Sequence, residues 1–222
     1  TTPAPRGNGY VPLALMVATN DHYLAFSGGV GGAKLALGLY RSLPPDQLTV
    51  VANTGDDFKH LGLNISPDLD TVMYTLSGLS NTDLGWGLAG ESWNFLEALE
   101  SLGGDSWFRL GDRDLATHIQ RSGMLNAGLS LSEVTHSLSS ALGVNCRLLP
   151  MSDDQVATQV HCDEGILPFQ NYFVERQCEP AVSGFEFAGL DSAAPQAEFM
   201  DCLRSDNLKA IFICPSNPFV SV

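Results

Sequence analysis

The chain has 222 residues, with 11 Lys plus Arg against 25 Asp plus Glu and a formal net charge of −14. That length suits one α/β domain, or a domain with an inserted lobe, able to bury roughly 70% of its unfolded surface without staples. The acidic balance excludes a nucleic acid polymer as partner, since no block of basic residues offsets the repulsion, but it admits a nucleotide held by a local loop and a divalent cation.

Residues 1–22, opening Thr-Thr-Pro-Ala-Pro-Arg-Gly-Asn-Gly, read as an N-terminal extension or tag-like tail without chemistry. The apolar run Val11 to Ala18 contains Pro12 and is too short to cross a bilayer. The five cysteines, Cys146, Cys162, Cys178, Cys202 and Cys214, are odd in number and at least 12 residues apart, so they read as reduced thiols. A cytoplasmic protein with no membrane association is the expectation.

Tyr23 to Phe26 reads as a buried strand, and the next six residues, Ser27 to Gly32, hold four glycines before a helix at about 33–42. Such a glycine loop can bring backbone N–H groups against an anion at the positive end of the helix. It can equally be a plain β–α turn. The pattern is not the Walker A motif, because Ala33 separates Gly32 from Lys34 and Leu35 follows. Nor is it Gly-x-Gly-x-x-Gly, because Lys34 stands at the third glycine position.

Leu43-Pro44-Pro45-Asp46 stops that helix, and Leu48 to Ala52 forms the next strand. Strand, helix and strand in this order argue a right-handed crossover and a parallel sheet. The second strand empties into Asn53-Thr54-Gly55-Asp56-Asp57, where ligands of open α/β sheets bind. Ser66-Pro67-Asp68 starts a helix with Leu69, Val72, Met73 and Leu76 at helical spacing, which puts Asp70 on the border of the apolar stripe. A loop over Gly85 to Gly90 precedes a helix at about 91–102, and the polar turn Trp107 to Asp114 leads into the helix of Leu115 and Ile119. Ser130-Leu131-Ser132-Glu133 is a capping box whose helix ends at Gly143. These helices are expected to form a lobe over the mouth of the sheet. Residues 145–174 alternate as two strands joined by a turn at Pro150 to Asp154, and Lys209 to Cys214 is the last clear strand.

Four acidic clusters fall at loops or helix starts: Asp56/Asp57, Asp68/Asp70, Asp112/Asp114 and Asp153/Asp154. Hard oxygen ligands beside a phosphate loop suit Mg2+. Aspartates also cap helices and turns, and Asp153/Asp154 reads as a turn alone. His118, one turn into its helix, reads as a surface or satisfied histidine before it reads as a base. Trp86, Trp93 and Trp107 either wall a flat ring system or pack the lobe.

Six motifs occur in order: Phe26-Ser-Gly-Gly-Val-Gly-Gly-Ala-Lys34, Asn53-Thr-Gly-Asp-Asp57, Ser66-Pro-Asp-Leu-Asp-Thr71, Leu110-Gly-Asp-Arg-Asp-Leu-Ala-Thr-His118, Leu149-Pro-Met-Ser-Asp-Asp154 and Pro215-Ser-Asn-Pro218. Together they make residues 23–222 resemble the 2-phospho-L-lactate transferase family of coenzyme F420 biosynthesis. The resemblance implies an α/β fold: a Rossmann-like, mostly parallel sheet with helices on both faces and a helical lobe inserted over the C-terminal edge. It also implies transfer of a phospholactyl-type group from a guanosine-diphospho donor to the ribityl hydroxyl of a deazaflavin acceptor, with Mg2+ assisting and GMP leaving. The donor acid, whether phospholactate, phosphoenolpyruvate or phosphoglycerate, stays open.

By motif, the resemblance places Gly28, Gly29, Gly31, Gly32 and Lys34 at the donor phosphates and Asn217 at the nucleotide. Asp56 and Asp70 become metal or acceptor-hydroxyl carboxylates, and Arg109 contacts the deazaflavin or the developing charge. Asp70 and Arg109 are the expected catalytic pair. The family's chain runs on past Ser-Asn-Pro, so its C-terminal part is expected to be absent here, and a homodimer is admitted. Two other readings stay open: a nucleotide-sugar-binding regulator of related fold, and a domain that only holds nucleotide.

Overall fold

The computed structural model describes residues 20–216. Its centre is a four-stranded parallel sheet of β1 (His22–Ser27), β2 (Leu48–Ala52), β5 (Arg147–Pro150) and β9 (Leu208–Ile213), ordered β5-β2-β1-β9. Parallel pairing puts Ala25 beside Val50 and Phe212, and Val50 beside Leu148. Side chains alternate across a strand, so each strand feeds two faces. Ala25, Val50 and Leu148 pack under α1 (Gly29–Ser42), α2 (Pro67–Leu76) and α5 (Leu131–Ala141). Leu24, Val51 and Leu149 pack on the other face against Phe199, Cys202 and Leu203 of α6 (Ala197–Arg204). Every residue of β2 is buried, as its apolar run requires of a central strand covered on both faces.

The expected Rossmann-like α/β core is therefore present, with a parallel sheet and helices on both faces. Read from sequence, the first helix begins at about residue 33 after a glycine loop; in the structure it begins at Gly29, so Gly31 and Gly32 lie in its first turn. The reason is packing. A Cβ on Gly32 would stand 2.6 Å from the Ser27 hydroxyl, and one on Gly31 would stand 2.7 Å from the Pro215 carbonyl oxygen. Only glycine lets this helix leave so close to the ends of β1 and β9.

Three further departures shape the mouth. A hairpin, β3 (Phe58–His60) and β4 (Leu63–Ile65), stands between β2 and α2, turned by Leu61 and Gly62 at φ of 51° and 76°. The two strands expected around Pro150 to Asp154 do not pair. β5 joins the parallel sheet, whereas β6 (Ala157–Cys162) is the centre of a separate antiparallel sheet with β7 (Gly165–Pro168) and β8 (Val182–Ala188). The lobe over the mouth consequently contains this small sheet as well as α3 (Asn94–Ser101) and α4 (Asp112–Asn126). Among the described residues no helix is long and apolar enough to cross a membrane.

Candidate active site

At the carboxyl ends of the parallel strands lies a cavity of about 950 Å³. The start of α1, the start of α2, the α4 face and the β7–β8 connection all line it. Gly28, Gly29, Gly31, Asp56, Asp70 and Arg109 are all on its wall, so six of the residues expected from sequence are brought together. Gly32 is buried behind that wall against Ser27, and Lys34 is exposed on α1 away from it. Asn217 lies outside the described residues.

The cradle at α1 is already half furnished. The Gly29 amide donates to Asp68 Oδ1 at 2.7 Å, and Asn53 Nδ2 donates to Asp68 Oδ2 at 3.0 Å. Asp68 thus caps α1 from a neighbouring helix, where its charge meets the positive end of the dipole. The next first-turn amides have no acceptor inside the helix and remain for an anion. Beside them Asp56 is buried with its Oδ1 unpartnered, close to the likewise unpartnered Thr158 hydroxyl. Burial first, and the Asp68 charge second, push the Asp56 carboxyl up to about 8. Burial also pushes Asp57 well above the usual carboxylate range, although the Ser66 hydroxyl donates to it at 2.6 Å. Asp68 is raised for the same first reason.

Such a surplus of buried carboxylate is what a hard divalent cation neutralises. Among the described residues no three His, Cys, Asp or Glu side chains gather around one point, and the nearest approach to a Mg2+ site is the carboxylate pair Asp56 and Asp68, with Asp56 Oδ1 unpartnered. Asp70 offers less to a metal. Both of its oxygens face the guanidinium of Arg121, Nη1 at 3.0 Å from Oδ2 and Nη2 against Oδ1.

Arg121 is a residue that the sequence reading misses. Only 2% exposed, it lies at the centre of a polar ladder on the inner face of α4. Its Nη1 donates to His118 Nδ1 at 3.1 Å, so His118 carries its proton on Nε2 when neutral, and Nε2 lies 3.1 Å from Asp114 Oδ2. The Tyr74 hydroxyl donates to Asp114 Oδ1 at 2.7 Å. His118 is therefore buried and not a surface residue, with Nδ1 bonded to Arg121 and Nε2 beside the Asp114 carboxylate but without a hydrogen bond to it. Asp114, His118 and Arg121 recur at helical spacing on one face, and that periodicity was the available signal.

Of the other expected acidic clusters, Asp112 and Asp153 serve as helix caps. Asp112 receives the Phe95 amide at 2.9 Å, the Ser92 hydroxyl at 2.7 Å and the Asn94 side chain at 2.8 Å, closing the start of α3. Glu91 returns the favour to α4 by accepting the Arg113 and Asp114 amides, both at 2.8 Å. Asp153 accepts from Ser132 at the start of α5, and Asp154 from Ala194. Among the tryptophans, Trp86 and Trp107 line the cavity, and Trp93 carries the Arg109 guanidinium 4.4 Å above its ring.

A parallel α/β sheet whose mouth joins a helix start to strand-end carboxylates defines a Rossmann-like protein with its cavity at the strand ends. The chain belongs to the 2-phospho-L-lactate transferase CofD family, whose model matches residues 24–222. It is 42% identical over 205 residues to the phosphoenolpyruvate transferase of Kitasatospora aureofaciens, covering 90% of this chain and 63% of that protein. It is 40% identical over 199 residues to the 2-phospho-L-lactate transferase of Methanosarcina mazei, covering 90% of this chain and 65% of that protein. The chain thus spans just under two thirds of the length of these relatives. In fold it is similar to a Bacillus halodurans protein described as a member of the UPF0052 family. The TM-score is 0.56 at 19% identity, over 91% of this chain and 61% of that one.

Proposed function

We propose that the chain performs the transfer for which its family is named, in coenzyme F420 biosynthesis. A phospholactyl-type group, carrying 2-phospholactate, phosphoenolpyruvate or phosphoglycerate, moves from a guanosine-diphospho donor to the ribityl hydroxyl of 7,8-didemethyl-8-hydroxy-5-deazariboflavin. The acceptor oxygen bonds to the distal phosphorus, the phosphoanhydride bond breaks, and GMP leaves. One observation carries the reading: a single cavity joins the Gly28 to Gly31 helix start to Asp56, Asp68, Asp70 and Arg109. Phosphoryl-group chemistry depends mainly on in-line positioning and charge neutralisation, which this wall can supply.

The first-turn amides of α1 hold the donor diphosphate. Mg2+, when bound by Asp56 and Asp68, would neutralise charge on that diphosphate. Asp70 takes the acceptor hydroxyl, because each of its oxygens keeps a lone pair beyond the one given to Arg121. Arg109 faces the acceptor or the charge that develops on the leaving phosphate. Gly32 contributes close packing, and Lys34 adds positive charge outside the cavity. Five free cysteines fit a reducing, cytoplasmic setting.

The test is a titration of the chain with GDP and with the deazaflavin, with and without Mg2+, followed by an assay of GMP release. GDP binding that strengthens with Mg2+ and is lost on chelation, together with deazaflavin binding, is the expected result. Asp70→Ala should abolish turnover; because it also strands the buried Arg121 guanidinium it should cost about 3–5 kcal/mol, so turnover is read well below the lowered melting temperature. Preference for a UDP-sugar with no deazaflavin binding, or full turnover in Asp70→Ala, would overturn the proposal.

A further inference from the structure

The cavity has a second wall, built differently from the carboxylate corner. After β7 the chain enters a wide turn of π-helix, Asn171–Glu175, and leaves it through Gln177 and Cys178 at φ of 50° and 61°. Wide turns of this kind concentrate at functional sites, and consecutive positive φ values in non-glycine residues persist only where surrounding structure imposes them. The segment presents Phe169 and Phe173 to the cavity, their rings 5.5 Å apart and 10° from parallel. Phe173 remains 54% exposed. Val174, Cys178 and Phe185 line the cavity beside the pair, together with Gln170, Tyr172 and Gln177.

Two stacked phenyl rings, one of them half uncovered inside a cavity, leave an aromatic face without a partner. Elsewhere on the wall Trp107 and Phe108 are supported by Phe58 and His60, at ring separations of 4.9 to 6.0 Å. The Phe169 and Phe173 pair has no such backing beyond its own stack among the ring contacts of the described residues. A flat heteroaromatic ring matches that face by shape and quadrupole. The donor's guanine and the acceptor's tricycle are both flat. The tricycle has the larger face and gains more from stacking on two parallel rings.

We propose that Phe169 and Phe173 form the stacking platform for the planar ring of the acceptor, and so determine which rings the enzyme accepts. This deepens, and rests on, the functional reading above. The ring lies on the platform while its ribityl chain runs toward Asp70, and the donor occupies the glycine and carboxylate corner independently.

The experiment titrates the chain, in Mg2+, with the deazaflavin by its intrinsic fluorescence and with GDP by calorimetry, for wild type, Phe169→Ala, Phe173→Ala and Phe173→Tyr. Phe173 is exposed, so its variants should keep the wild-type melting temperature, and a folding failure in Phe169→Ala leaves Phe173→Ala to decide. Phe173→Ala should weaken deazaflavin binding about ten-fold and GDP binding less than about two-fold, with Phe173→Tyr restoring the wild-type value. Unchanged deazaflavin affinity in the alanine variants, beside a wild type that binds it, overturns the platform and leaves the transferase reading standing. Weakened GDP in place of weakened deazaflavin overturns it in favour of a guanine platform. A wild type that binds GDP and ignores the deazaflavin overturns both.

Discussion

Single atoms decide the mouth of the cavity. Gly32 is where α1 passes closest to β1, and a methyl there would press on the Ser27 hydroxyl and, at 3.2 Å, on its Cα. Gly32→Ala should therefore cost about 1–3 kcal/mol, read as a lower denaturant midpoint with unchanged slope. Arg121 presents the opposite problem, a buried cation whose removal strands anions. Arg121→Met leaves Asp70 facing an apolar chain, and it should destabilise the protein by about 3–5 kcal/mol. The double variant Arg121→Met/Asp70→Asn should recover a large part of that loss, because the stranded charge goes with it. A double variant no more stable than the single one would mean that Arg121 acts through packing alone. Burial raises the Cys146 thiol to about 12, so this cysteine should resist alkylation in the native state while the exposed Cys178 reacts.

Between elements, the two lobe helices α3 and α4 close each other's ends through Asp112 and Glu91. Glu91→Ala should cost about 1 kcal/mol by leaving the Arg113 and Asp114 amides without their acceptor. For Asp112 the pH dependence has a defined sign. The Phe95 amide, followed by the Ser92 and Asn94 side chains, holds its carboxyl at about 2, below its value in the unfolded chain. Its contribution is fully present above about pH 4 and is lost as pH falls toward 2. The difference in melting temperature between wild type and Asp112→Ala should shrink over that interval. A difference that stays constant from pH 5 to about pH 2 would contradict the capping geometry.

For the molecule as a whole, stability should be uneven. β1 and β2 are covered on both faces, whereas most of β8 and much of β7 are exposed. Amide hydrogen exchange should show β1 and β2 protected to the level of global unfolding, with β7, β8 and the wide turn between them opening earlier. Ligand filling the cavity should slow exchange in that turn more than in β2. Equal protection in both sheets would mean that the small sheet folds and unfolds with the core.

How far sequence reaches follows from which interactions are local. The strands His22–Ser27 and Leu48–Ala52, the helix after Pro67 and the Ser130 capping box were legible, because each is written in a period, a cap or a proline only a few residues apart. The acidic residues at strand ends were legible as a group, and their motif order gave the family. The β3–β4 hairpin was not, since its turn places Leu61 at positive φ, where Asn or Gly would have announced it. Nor was the parting of β5 and β6 into separate sheets, because alternation specifies a strand and leaves its partner to tertiary contacts.

Sequence by itself determined the parallel α/β core and which carboxylates lie near the strand ends, since burial patterns and turn chemistry are carried within each segment. Only the tertiary structure decided what each carboxylate does. It turned Asp112 and Asp153 into caps, gave Asp68 to Gly29 and Asp70 to Arg121, and left an oxygen of Asp56 unpartnered. Those roles depend on partners up to 51 residues away in sequence. Charge and hydrogen bonding act through distance in space, which the folded chain alone sets.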